Sequence, residues 1–95
     1  MMSNNDVPAE VLDASRTQFG RAVTAFLHHA EIEGFCLVGR VYFDRKDRFQ
    51  SGRLIRTSDL EEFLATDEYL LAVTLTGSVY VLVAPKSELL RLPGK

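Results

Sequence analysis

Six cations fall within seventeen residues of this 95-residue chain: Arg40, Arg45, Lys46, Arg48, Arg53 and Arg56, more than half of its eleven. Only Asp44 and Asp47 oppose them, so the stretch carries a local charge of about +4 in a chain whose net charge is −2. Such asymmetry predicts a directed contact with an acidic partner, either a nucleic-acid backbone or a carboxylate-rich protein face. Arg40 and Tyr42 share one face of a strand, and Arg56 from the next strand can join them. Protein hot spots and single-strand platforms both use such an arginine–aromatic surface. The plainer reading is a solvated sheet edge whose charges deter strand addition.

The other reactive residue types point to structure rather than chemistry. His28 and His29 are adjacent at the end of an expected helix, where neighbouring side chains diverge by about 100° and cannot form the i, i+4 pair that suits a metal. A histidine there gains from the helix dipole instead. Cys36 is the only cysteine, which excludes an intrachain disulfide and a zinc site built on paired thiolates. Nothing in the sequence supplies the orienting group or oxyanion hole that a catalytic thiol needs, so a buried small hydrophobe is expected. Glu61-Glu62 and Asp67-Glu68 sit in charged, turn-rich surroundings and look like solvated caps. The phosphate-binding Gly-x-x-x-x-Gly-Lys, any Gly-x-Gly fingerprint and His-Glu-x-x-His are all missing. The chain is therefore expected to have no catalytic residues, no metal and no cofactor, and not to be an enzyme.

The elements that position these residues follow from spacing. Phe19, Ala22, Val23, Phe26, Leu27 and Ala30 recur at helical spacing, with Val11 and Ser15 extending the stripe backwards. Asp6 near the N-cap, Pro8 in the first turn and Gly34 as the stop bound one helix of about 25 residues. Beyond Gly34 the period becomes two: Phe35, Leu37, Val41 and Phe43 point one way, and Cys36, Val38, Arg40 and Tyr42 the other. The charged reversal Asp44–Arg48 and the Ser51-Gly52 turn lead to a second strand at 53–57. Ser58 with Glu61 forms a capping box, predicting a short helix that ends near Leu64. Tyr69–Thr76 and Val79–Ala84 flank Gly77-Ser78 as a type II′ hairpin. Both hairpin faces are largely apolar, so one needs a second cover from a curled sheet, the C-terminal Leu-Arg-Leu-Pro segment or another subunit, and a homodimer is expected on that ground. The predicted fold is α+β: a long N-terminal helix on an antiparallel sheet of about four strands in two hairpins, with a short helix between them.

Length and composition fit one domain over residues 8–95 behind a disordered start at 1–7. A hydrophobic share of 46% and a charged share of 25% argue against global disorder. No apolar run approaches the roughly 18–20 residues of a membrane span, and no signal peptide is evident, so a cytoplasmic address is expected.

Gly39–Asp59 resembles a run found in small proteins carried by phages, prophages and plasmids, in which Gly-x-Val-Tyr leads through Arg-Phe-x-x-Gly to Ile-x-Thr-Ser. Val73–Leu82 is similar to their following Val-x-Thr-x-x-Gly-Ser-x-Tyr-x-Leu segment. The resemblance implies a sheet of two hairpins in a protein of a mobile element, in a bacterial host, that acts by occluding host machinery. A non-enzymatic inhibitor of a host defence complex, as in an anti-CRISPR, is the expectation that follows. Arg40, Tyr42, Arg45, Lys46, Arg48, Arg53 and Arg56 would meet a host protein or nucleoprotein complex. The alternative is a small nucleic-acid-binding regulator using the same patch.

Overall fold

Strands, not helices, supply most of the regular structure among the described residues. The computed structural model describes residues 7–86 and Leu89. One short helix, α1 (Ala9–Ser15), precedes β1 (Ala25–Glu33), β2 (Cys36–Tyr42), β3 (Arg53–Arg56), β4 (Leu60–Ala65), β5 (Leu70–Thr74) and β6 (Val79–Val83). The six strands form one mixed sheet in the order β3-β2-β1-β6-β5-β4, with β1 and β6 parallel at its centre and every other pair antiparallel.

The sheet cannot be flat. Its edge strands β3 and β4 are joined by only Thr57, Ser58 and Asp59, a link of at most about 14 Å. Six strands laid flat would hold the edges roughly 24 Å apart. The linking segment runs on past β2, the Thr57 N–H donating to Leu37 O and the Leu60 N–H to Phe35 O, both at 2.8 Å. It then meets β5 through the Leu75 N–H on Asp59 O. β3 and β4 are thus one bent path that changes partner, and the sheet curls around its inner face.

That inner face holds Ala25, Leu27, Ala30, Leu37, Val41, Ile55, Ala72, Tyr80 and Leu82, with Leu89 also packed there. The outer face carries Phe26, Tyr42, Leu71, Val79, Val81 and Val83, covered by Val7, Val11 and Ala14 of the α1 segment. Both faces of the β5–β6 hairpin are therefore covered within the chain, which removes the premise on which a second subunit was expected. The Leu-Arg-Leu-Pro segment, Asp6 and the rest of 1–6 lie outside the described residues.

The long N-terminal helix is not formed, and the fold is largely β rather than α+β with a long helix. α1 ends after seven residues, where Ser15 Oγ donates to Leu12 O and Thr17 Oγ1 to Asp13 O, side chains competing with the backbone ladder. The segment expected to continue it is β1. Its pairing with β2 shifts between His28 and Glu31, where His29 takes a left-handed φ of 56°. The extra residue puts Leu27 and Ala30 on the same face, three apart, a spacing that imitates a helix.

The expected Ser58–Leu64 helix is β4 for the same reason. Its register shifts between Leu60 and Glu62, so Leu60 and Phe63 share the inner face while Leu64 turns outward. The β1–β2 hairpin turns through Gly34-Phe35, with Gly34 at the positive φ that the first position of a type II′ loop requires. The β5–β6 turn expected to be of that kind is instead a three-residue loop, Leu75–Thr76–Gly77. Its Gly77 N–H returns to Thr74 O and its φ is 91°. The register becomes Leu71↔Val81 and Val73↔Val79, which leaves Leu75 exposed. The alternation of Leu37 and Val41 against Arg40 and Tyr42 and the pairing of β2 with β3 are as expected. Phe43, expected on the face of Leu37 and Val41, instead takes a left-handed φ of 56° and packs on Phe26 of the outer face, and Phe35 is exposed in the turn. Among the described residues no helix is long and apolar enough to cross a membrane.

Candidate functional site

The β2–β3 loop is organised by one carboxylate. Asp44 Oδ2 accepts from the Arg48 N–H at 2.8 Å, the Phe49 N–H at 3.3 Å and Arg48 Nε at 3.2 Å. Its Oδ1 accepts from the Lys46 N–H and Arg48 Nη2. Burial pushes the Asp44 carboxyl up, but these donors outweigh it and hold the group below its ordinary value. Asp44 in turn raises the Arg48 guanidinium, which also donates to Tyr80 Oη and lies over the Phe49 ring.

This geometry sorts the basic residues. Arg48 is a structural cation, since its hydrogen bonds are spent on Asp44 in the loop and on Tyr80 of β6. Arg40 Nη1 donates to Gly52 O at 2.9 Å, Lys46 Nζ to Ser78 Oγ at 3.2 Å, and Arg56 pairs with Glu33. Arg56 sits three residues along β3 from Arg53, roughly 10 Å from the loop end. Among the described residues, Arg45 and Arg53 are exposed and have no side-chain hydrogen bond or ion pair within the chain. Tyr42 is 6% exposed and packs in the outer core, so it presents no surface to a partner. The cations nearest the loop end are therefore Arg40, Arg45, Lys46 and Arg53, opposed by Asp47.

A second cluster was not legible in the sequence. His28, on β1, is 8% exposed, and its Nε2 lies 2.8 Å from Glu10 Oε2 on α1. The left-handed backbone at His29 brings the next imidazole round to stack on it, with ring centroids 3.8 Å apart and planes inclined by 23°. The divergence expected for neighbours on a helix is absent because these residues lie on a bulged strand. The hydrogen bond with His28 lowers the Glu10 carboxyl. The two imidazoles border an open depression of about 190 Å³, whose other walls include Glu31, Arg40, Leu54 and Lys86. The signal that would have found the cluster is the three-residue step from Leu27 to Ala30, which marks a bulge at His28-His29 once the segment is read as a strand.

Cys36 is half-buried and donates to Asp59 Oδ1 at 3.3 Å. It starts β2, four residues from the Arg40 that pairs with His28, roughly 13 Å away along the strand. Thiol and imidazole are not brought together. Glu61, Glu62, Asp67 and Glu68 are exposed, and Asp67 and Glu68 line a shallow depression of about 310 Å³ with Thr17, Gln18, Phe19 and Thr66. No family model, curated protein or solved structure matches this chain.

Proposed function

We propose that this chain is a non-enzymatic interaction domain that meets an acidic partner through the loop end carrying Arg40, Arg45, Lys46 and Arg53. One observation supports this above the rest: Arg45, in the loop that Asp44 holds, and Arg53, at the start of β3, are exposed, and neither side chain has a hydrogen bond or ion pair among the described residues. A preorganised loop with unspent guanidinium groups binds without a large ordering cost. It contributes association rate and specificity through electrostatic complementarity. A net charge of −2 favours a carboxylate-rich protein over nucleic acid, since a general nucleic-acid binder is usually basic overall.

The double variant Arg45→Glu/Arg53→Glu tests the reading, because neither side chain supports the fold. Wild type is expected to be retained on heparin, a polyanion probe, at low salt, and the double variant to elute in the wash with an unchanged unfolding temperature. Equal retention of the two proteins would remove the proposal. Gel shifts with random single- and double-stranded DNA and RNA separate the partner classes. A shift at micromolar protein whose affinity falls steeply with salt supports the nucleic-acid regulator. The narrower reading, an inhibitor of a host defence complex, rests on the resemblance of Gly39–Asp59 and Val73–Leu82 to proteins of mobile elements. It requires that wild type, but not the double variant, restores plaque formation by a phage on a CRISPR-immune host.

A further inference from the structure

We propose that Glu10, His28 and His29 form a binding site for one divalent transition-metal ion of the zinc class, where α1 crosses the bulge of β1. One ligand atom from each of the three residues lies within 4.8 Å of the other two. Two imidazoles and a carboxylate are the donor set that zinc and its neighbours take, with one position left for water or an incoming group.

The backbone builds this set at a cost. Regular alternation would send His29 to the inner face, opposite His28. The bulge and the φ of 56° at His29 return its ring to the outer side, beside its neighbour. Histidine is among the residues that accept this conformation, but it is still uncommon outside glycine. His29 is exposed, so it gains little burial in exchange.

Closing the site requires the exposed His29 ring to turn off the stack, because rings inclined by only 23° hold their in-plane lone pairs nearly parallel. Ligand atoms of a tetrahedral zinc centre lie roughly 3.3 Å apart, so the set must contract by about the excess of its longest separation. The Glu10 side chain is 51% exposed on the surface of α1 and would exchange its hydrogen bond with His28 Nε2 for the ion, whereas the His28 side chain is only 9% exposed. The opposite rim carries Arg40 and Lys86 as well as Glu31. Arg40 is engaged by Gly52 O, and the cationic rim suits an anionic group in the open position. The site uses none of the residues assigned to partner contact except Arg40 on its rim, and it stands or falls independently of the basic loop.

Calorimetric titration of the full chain, freed of any affinity tag and treated with chelator, with zinc chloride at pH 7.5 tests the site. Wild type is expected to bind one equivalent with a dissociation constant of about 10 µM or tighter. Glu10→Gln and His29→Asn are each expected to weaken binding at least about tenfold. Asparagine tolerates the left-handed backbone at position 29, so that variant keeps the unfolding temperature of the metal-free protein. Zinc should raise the unfolding temperature of wild type and of Cys36→Ser, but not of His29→Asn. Absence of stoichiometric binding, or His29→Asn binding zinc as wild type does, would overturn the assignment.

Discussion

Asp44→Ala lowers the stability of the domain by about 3 kcal/mol and its unfolding temperature by roughly 10–20 °C. The carboxylate side chain is 1% exposed and accepts five hydrogen bonds, three from backbone N–H groups. Removing it strands those donors and leaves the Arg48 side chain, 35% exposed, beside Tyr80 without its counter-charge. Asp44→Asn, which mimics protonation, is expected to cost most of the same amount. The pH dependence follows from the direction of the shift. A carboxyl held below its ordinary value binds fewer protons folded than unfolded. Its contribution is therefore complete above the unfolded value near 4 and is lost as pH falls through the lower folded value. Urea unfolding of wild type should show this loss below about pH 4, and Asp44→Asn should be flatter there. The variant should also weaken heparin retention although Arg45 and Arg53 are intact, because the loop that presents Arg45 is no longer held. A variant within about 0.5 kcal/mol of wild type would mean that the loop is held by something other than its carboxylate.

Legibility in this sequence divides at the bulges. Where strands are regular, as in β2 and β3, alternation gave the correct faces for Leu37, Val41, Cys36 and Arg40. Where a strand carries an extra residue, apolar side chains on one face fall three apart, as Leu27 and Ala30 do in β1 and Leu60 and Phe63 in β4. Helical periodicity then fits a strand, and a Ser-x-x-Glu capping signature beside β4 strengthens the wrong choice. β1 adds a second difficulty. As a central strand with a parallel neighbour it is buried on both faces from Ala25 to His28, so Ala-Phe-Leu shows no alternation. The loop-end cations were visible in composition, but which of them are spent was not. That depends on Asp44 and Gly52, whose contacts exist only once β2 and β3 are paired. The histidine cluster was hidden by the same misreading that hid the strand.

Gly39→Ala costs about 3 kcal/mol, and Gly39→Val yields no soluble protein. Gly39 is buried in β2 with its missing side chain directed at the bulge of β1. A Cβ there would lie 2.9 Å from Leu27 Cγ, 3.0 Å from His28 O and 3.2 Å from Ala30 Cα. Two of the three obstacles are backbone, which cannot rotate out of the way as a long side chain would. Relief requires moving β1 itself, and with it the ladder to β6 at the centre of the sheet. Gly77→Ala is the control: its position has nothing within 4 Å, so only the left-handed backbone resists, at about 1 kcal/mol. Denaturation midpoints for the two variants should therefore differ severalfold in their displacement from wild type. Equal displacements would show that β1 yields easily and that the bulge is not a fixed part of the fold. Because the His28 carbonyl is one of the atoms displaced, the residual folded fraction of Gly39→Ala should also bind zinc more weakly than Gly77→Ala, with every proposed ligand unchanged. That second readout separates a general loss of stability from a specific loss of the geometry that stacks His29 on His28.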